Sequence, residues 1–313
     1  MNIVLCGDFD AAEARDWQQA LAAAMPEAHW LSPGQARAAP AQVQAAVVAN
    51  PPPGSLQGLP ALRLIQSLWA GVDRLLADPT LPAGVPLARM VDPAMNAAMA
   101  ETALWATLAL QRDFFAYARQ QRQGLWRPLR QRRADEWPVL VLGQGEMGRG
   151  AARLLAGAGF PVTGWSRSGA AAVPGVRGIH GDVALWQALP QARTLVNLLP
   201  LTAATQGLLD ARLFGALPAG AGVVNLARGR HLVEADLLAA LASGRLAHAV
   251  LDVFQHEPLP AAHPFWQHPQ ITVLPHVAAQ TDERSAAAVA AANLRAARDG
   301  LPLQHLVQRQ RGY

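Results

Sequence analysis

The chain has 313 residues, 51% of them hydrophobic and 15% charged, with a formal net charge of +4. That length supports two domains, each with its own core, and that composition excludes a chain too polar to fold on itself. All the basic residues are arginine, which inflates the sequence pI and gives no ground for expecting a nucleic-acid partner.

Cys6 is the only cysteine, so an intramolecular disulfide is excluded and a reducing compartment is compatible. The start, Met1-Asn2-Ile3-Val4-Leu5, lacks the basic flank and long apolar region of a signal peptide. No apolar run reaches membrane-spanning length; even Ala286 to Ala292 is short. The expectation is a cytoplasmic protein with no membrane partner.

From Asn2 to about Ala98 short apolar strands alternate with helical or Pro/Gly-rich segments. Strands are predicted at Ile3-Cys6, His29-Leu31, Ala46-Ala49, Leu64-Gln66 and Pro86-Arg89, the alternation of a parallel sheet covered by helices. After the fourth, Ser67-Leu68-Trp69-Ala70-Gly71-Val72-Asp73 puts small residues at a turn, where bare N–H groups can form a carboxylate nest; ordinary strand-to-helix turns look similar. A long helical pattern then runs from Asn96 to about Gln123 and links the two domains. The Arg-rich stretch Arg119 to Arg133 that follows has too few aromatics for a nucleic-acid platform and reads as a solvated or interface segment.

From Trp137 to about Gln280 strand and helix repeat, with strands predicted at Val139-Leu142, Val162-Trp165, Leu195-Asn197, Val223-Asn225, Ala249-Leu251 and Ile271-Val273. Such a series makes a doubly wound sheet. The first strand leads into Gly143-Gln144-Gly145-Glu146-Met147-Gly148 and a helix, the context a dinucleotide-binding G-x-G-x-x-G requires. Gly143 permits the tight turn, Gly145 admits a pyrophosphate to the backbone, and Gly148 lets helix and strand pack closely. At the ribose position the next strand ends in Ser166-Arg167-Ser168 with no carboxylate. An acidic residue there would favour NAD(H); a guanidinium and two hydroxyls suit a 2′-phosphate, so NADP(H) is preferred and NAD(H) remains possible. An alanine-rich helix, Glu283 to about Asp299, returns to the first domain. The domains expected are 1–98 with 283–313 for substrate and 99–282 for the dinucleotide, including the linking helix.

Three later segments end predicted strands or begin their loops, and each offers one polar residue: Arg228, Glu257 and His276. Ligands of open α/β sheets bind at such strand ends. The set suits reduction of a 2-oxo acid. Charge developing on the carbonyl oxygen calls for a proton donor such as His276. Glu257 on its other ring nitrogen would fix the tautomer. Arg228 can fork to the substrate carboxylate and the developing alkoxide. Each residue alone also has a structural reading. His231, His248, His256, His263 and His268 read as structural, and no metal set is apparent.

The ordered motifs Gly143 to Gly148, Asn197-Leu-Leu-Pro-Leu-Thr202, Asn225-Leu-Ala-Arg-Gly229, Leu251 to Pro260, His263-Pro-Phe-Trp266 and Pro275-His276 resemble the D-isomer-specific 2-hydroxyacid dehydrogenases. Within that family they are similar to the glyoxylate/hydroxypyruvate reductase A type. The resemblance implies two Rossmann-like α/β domains joined by long helices: a doubly wound parallel-sheet cofactor domain and a smaller flavodoxin-like substrate domain. It implies Arg228, Glu257 and His276 as catalytic residues, with Trp69, Ala70, Gly71, Val72 and Arg228 holding substrate. Beyond the glycine loop and Ser166 to Ser168, it implies cofactor contacts at Leu199, Pro200, Thr205, Leu226, Ala227, Asp252 and His276. It also implies a homodimer and a small 2-oxo or 2-hydroxy acid substrate such as glyoxylate or hydroxypyruvate, with bulky Trp69 disfavouring large side chains. The alternatives are a dehydrogenase of larger 2-oxo acids or phosphoglycerate, and a non-catalytic dinucleotide-sensing protein.

Overall fold

The computed structural model describes residues 1–312 and divides into two units, Met1–Met95 with the chain from Thr281 onward, and Asn96–Gln280. The first unit holds strands β1 (Asn2–Gly7), β2 (His29–Leu31), β3 (Ala45–Ala49), β4 (Leu64–Ser67) and β5 (Leu87–Ala88). They pair in parallel in the order β2-β1-β3-β4-β5, which is the flavodoxin-like order. Every residue of β3 and β4 is buried, as a strand covered on both faces requires. Helices α1 (Ala11–Ala24), α2 (Pro33–Ala38) and α3 (Asp73–Leu76) lie between the strands. Asp10 caps α1 by accepting from the N–H groups of Ala12 and Glu13, and Trp17 and Leu21 form its buried stripe.

The division between the units falls within the first turn of α4 (Pro93–Gln111), which is followed by α5 (Phe114–Arg122). The single helix expected from Asn96 to Gln123 is therefore two. Asp113 breaks it by taking a left-handed backbone, φ 57°, which no helix interior tolerates. Apolar periodicity on both sides of the break hides it from a pattern reading.

The second unit has seven strands: β6 (Val139–Leu142), β7 (Val162–Ser166), β8 (Val176–His180), β9 (Thr194–Asn197), β10 (Ala221–Asn225), β11 (Leu246–Leu251) and β12 (Ile271–Val273). They form one parallel sheet in the order β12-β11-β10-β9-β6-β7-β8, doubly wound about β6 and β9. Alternate residues serve opposite faces. Leu140, Leu142, Leu195, Val223 and Leu251 pack with Phe214 and Leu237, while Val139, Val141, Val196, Val224 and Val250 pack with Ala103, Ala106 and Leu155. Each such side chain contributes about 1.5–3 kcal/mol by leaving water. Strand β8 was not among the six expected. It is the sheet edge, its residues are partly or fully exposed, and it carries no apolar run to announce it.

Helices α6 (Glu146–Gly157), α7 (Gly181–Ala188), α8 (Ala211–Ala216) and α9 (Glu234–Ala242) alternate with these strands. The chain then returns to the first unit as α10 (Glu283–Asp299), capped by Asp282 and ended by Gly300 at φ 70°. Its alanine face, Ala286, Ala287, Ala290 and Ala291, is buried with Leu294. Buried Asn293 on the same helix donates to Gln66 Oε1 at 2.8 Å, joining β4 to α10. Among the described residues no helix is long and apolar enough to cross a membrane.

Candidate active site

The glycine turn after β6 is sterically obligatory. Gly143 has φ 95°, and a Cβ there would lie 2.5 Å from the Leu198 carbonyl oxygen. A Cβ on Gly148 would lie 1.8 Å from the Gly143 carbonyl oxygen. Gly145, by contrast, has nothing within 4 Å of its missing Cβ, so its backbone is bare. It is the N-cap of α6, and no side chain caps the first-turn N–H groups, which are available to a phosphate. Glu146 in that turn is paired with Arg149, and Met147 is partly buried against the core. The Gln144 side chain folds back and donates to the Gly143 carbonyl at 3.0 Å.

At the end of β7 Ser166 Oγ is buried with no hydrogen-bond partner, while Arg167 and Ser168 are exposed. A bare helix N-terminus and an orphaned hydroxyl beside a guanidinium fit a dinucleotide carrying phosphate on its adenosine ribose. The first turn of α6 would hold the pyrophosphate, and Ser166 to Ser168 the ribose end.

The other strand ends are tied together by a polar ladder. Asn197 and Asn225 are register partners closing β9 and β10, and Asn197 Nδ2 donates to Asn225 Oδ1 at 2.9 Å. The same amide meets His231 Nδ1 at 3.0 Å, and His231 Nε2 donates to the Pro200 carbonyl at 3.3 Å. In this arrangement Nδ1 accepts and Nε2–H donates on a fully buried ring. Leu199 N–H donates to Asn197 Oδ1, and Thr205 Oγ1 donates to the Pro200 carbonyl while accepting from Thr202 N–H. The Thr205 hydroxyl is thus committed to shaping its own loop. Ala227 N–H donates to Asn225 Oδ1, and Leu226 beside it is buried. In the sequence His231 reads as structural, and Asn197 and Asn225 open two of the motifs without either side chain being given a role. The available signal was an amide ending each of two apolar strands.

Arg228 follows this ladder, half-buried, with Nη1 donating to the Ala227 carbonyl. A Cβ on Gly229 would lie 1.9 Å from the Phe254 carbonyl carbon, so the arginine loop sits directly on that backbone. Phe254 N–H in turn donates to Glu257 Oε1 at 2.8 Å. Glu257 Oε2 accepts from His276 Nδ1 at 2.7 Å. Burial would raise the Glu257 carboxyl, but the hydrogen bonds from His276 and Phe254 and the nearby charges of His276 and Arg228 bring it below the usual range. The carboxylate form is therefore the one that meets the ring.

His276 has φ 57°, a left-handed conformation costing a β-carbon residue about 1–2 kcal/mol. Asp252 holds it there. Its carbonyl accepts from His276 N–H, and its carboxylate accepts from Val277 N–H at 2.7 Å and Ala278 N–H at 3.1 Å. Burial nevertheless leaves the Asp252 carboxyl raised, against those two hydrogen bonds. The His276 side chain is 51% exposed, and its Nε2 has no partner among the described residues.

In the first unit the Trp69 to Val72 turn differs in one respect from a nest of four bare N–H groups. Trp69 N–H is taken by Ser67 Oγ at 3.0 Å, because the hydroxyl closes a tight turn at the end of β4. The N–H groups of Ala70, Gly71 and Val72 make no hydrogen bond among the described residues. The Trp69 ring stands edge-on to buried Trp17 at 6.1 Å between centroids.

A doubly wound parallel sheet with a bare helix N-terminus and a carboxylate–imidazole pair at its strand ends defines a dinucleotide-dependent oxidoreductase class. Residues 104–278 match the NAD binding domain of the D-isomer specific 2-hydroxyacid dehydrogenases. The chain is 39% identical to glyoxylate/hydroxypyruvate reductase A of Yersinia enterocolitica over 100% of both chains, and 42% identical to that of Serratia proteamaculans over 96% of both. Among solved structures, it resembles a D-isomer specific 2-hydroxyacid dehydrogenase from Xanthobacter autotrophicus in complex with NADPH and MES (TM-score 0.93, 40% identity, 100% of this chain and 99% of that one). It also resembles an NADPH-dependent glyoxylate/hydroxypyruvate reductase from Sinorhizobium meliloti in complex with NADP and sulfate (TM-score 0.92, 35% identity, 100% and 99%). The protein belongs to the D-isomer specific 2-hydroxyacid dehydrogenase family.

Proposed function

We propose that the protein reduces a small 2-oxo acid, such as glyoxylate or hydroxypyruvate, to the 2-hydroxy acid, with NADPH preferred over NADH. Where a stereocentre forms, the product is the D-isomer. The observation that carries the chemistry is the 2.7 Å bond between His276 and Glu257, with His276 Nε2 left open. Relatives named glyoxylate/hydroxypyruvate reductase A across nearly the full chain support the substrate class, and neighbours in complex with NADPH or NADP support the cofactor.

Reduced nicotinamide, when bound, supplies a hydride to the carbonyl carbon. His276 donates the proton from Nε2 to the carbonyl oxygen, and Glu257, by accepting from Nδ1–H, orients the ring and leaves it as the Nδ1–H tautomer. The Arg228 guanidinium orients the substrate carboxylate and meets charge developing on the oxygen. Ala70, Gly71 and Val72 offer three N–H groups to a carboxylate. Asp252 keeps the His276 backbone in place, and it would be the carboxylate nearest that backbone to meet the nicotinamide amide when the cofactor is bound. Leu199, Pro200, Leu226 and Ala227 shape the cofactor's bed.

A cytoplasmic location suits a chain whose one cysteine is buried and reduced. A homodimer is supported by the exposure of Trp105, Phe114, Leu125 and Trp126 around α4, α5 and the following arm, where Trp126 is 97% exposed. Sedimentation equilibrium tests the dimer.

The activity is tested by following loss of reduced-nicotinamide absorbance with NADPH or NADH and acids from glyoxylate to phenylpyruvate. Turnover of the small acids with NADPH is expected. Preference for phenylpyruvate would overturn the substrate reading, and NADH preference the cofactor reading. Tight nucleotide binding without turnover would favour a sensor.

A further inference from the structure

Between β7 and β8 the chain runs from Arg167 to Gly175 with no helix, and part of this loop covers a space over one face of these strands. On that face the parallel register sets Gly164 beside Gly178 and, one pleat further, Ser166 beside His180. A cavity of about 270 Å³ opens there. The glycines are its floor: a Cβ on Gly178 would meet nothing within 4 Å, whereas one on Gly164 would strike the folded Gln144 side chain. The roof, Gly169 to Val173, has only alanine and valine side chains. Of the lining residues His180 alone can carry charge, and no carboxylate faces the space. Ser166 Oγ, on the pleat beside it, is buried and unpartnered.

A hydroxyl and an imidazole N–H side by side, with the Arg167 guanidinium next in sequence, make a donor set for an anion. His180 is also the N-cap of α7, and no side chain caps that helix end, whose dipole favours negative charge; Asp182 in the same turn is the one opposing charge. We propose that His180, together with Ser166, receives the 2′-phosphate of the adenosine ribose and is a specificity-determining residue for NADPH over NADH. The proposal rests on the NADPH reading above. It adds a residue contributed by the edge strand to the three that end β7.

The test is calorimetric titration of the full-length protein with adenosine 2′,5′-bisphosphate and with 5′-AMP near neutral pH. Tighter binding of the bisphosphate by the wild type is expected. His180→Ala should weaken the bisphosphate about tenfold, the loss of one charge-assisted hydrogen bond, and leave 5′-AMP unchanged. His180→Arg should restore the preference, with the melting temperatures of both variants near wild type. Unchanged bisphosphate affinity in His180→Ala, with the preference lost in Arg167→Ala, overturns the role of His180 and leaves the NADPH reading intact. Equal weakening of both nucleotides also overturns it, because the residue would then serve the shared part of the ligand. Equal affinity of the wild type for both removes the NADPH reading itself, and the proposal with it.

Discussion

His276 and Glu257, 19 positions apart in the chain, share a 2.7 Å hydrogen bond from ring Nδ1 to carboxylate Oε2. The second carboxylate oxygen is held by Phe254 N–H, so the ring's orientation traces back to the Phe254 backbone, on which Gly229 packs. For His276→Ala we expect kcat to fall about 10²- to 10⁴-fold, the usual worth of a placed general acid. NADPH affinity, followed by fluorescence titration, should hold. Turnover within a few-fold of wild type would show that the proton comes from elsewhere.

Arg228 is expected to act on both binding and the transition state. Arg228→Ala should lower kcat/KM about 10²- to 10³-fold, with KM for the 2-oxo acid raised and kcat reduced. Arg228→Lys should recover only part of this, because an ammonium cannot fork to two oxygens. Steady-state kinetics with glyoxylate reads the split; a change confined to KM would reduce the residue to a binding role.

Gly229→Ala probes the contact between the Arg228 loop and the Phe254 backbone, where the new Cβ would sit 1.9 Å from a carbonyl carbon. Overpacking of this kind costs about 1–3 kcal/mol. The displaced backbone carries the N–H that orients Glu257, so kcat should fall as well as the melting temperature. An active variant with wild-type melting would mean that the loop can shift without moving Glu257.

His231→Ala removes a fully buried ring that bridges Asn197 and the Pro200 carbonyl. Loss of a buried hydrogen-bonding partner costs about 1–3 kcal/mol. The loop from Leu199 to Thr205 should loosen, raising KM for NADPH more than KM for the 2-oxo acid. If neither constant changes, the ladder has no bearing on the cofactor.

His248 gives the protein an acid-sensitive element remote from the chemistry. Its ring stacks on Phe115 at 4.1 Å, and burial, with the charges of Arg119 and His268, pushes its pKa down to about 3. The unfolded chain, with a histidine pKa of about 6.5, therefore binds more protons than the folded one between these values. The stability contribution is present above pH 6.5 or so and is lost as pH falls toward about 3, amounting to ~3–5 kcal/mol over that range. Calorimetric melting from neutral to mildly acidic pH should show a decline that His248→Phe flattens. Equal slopes in the two proteins would refute the assignment.

What the sequence by itself determined were the features set by local steric and hydrophobic rules. The Val139–Leu142 strand followed by a glycine turn and helix was legible because only glycine fits beside the Leu198 and Gly143 carbonyls, and because a fully covered strand is an apolar run. Helix Glu283–Asp299 was legible from its run of alanines, and the structure adds the Asp282 cap and the Gly300 stop. Strand Val176–His180 was not, since an exposed edge needs no apolar pattern, and the break at Asp113 was not, since periodicity runs past it.

Arg228, Glu257 and His276 were nominated by their places after successive strands, together with the family resemblance. That the last two are bonded was decided by the tertiary fold. The same holds for Asn197, which meets Asn225 and His231 across 28 and 34 positions, and for Ser166 beside His180 on neighbouring strands. Such pairs depend on sheet register and loop closure, which no local pattern encodes. A polar residue's partner is chosen by what folding brings alongside it.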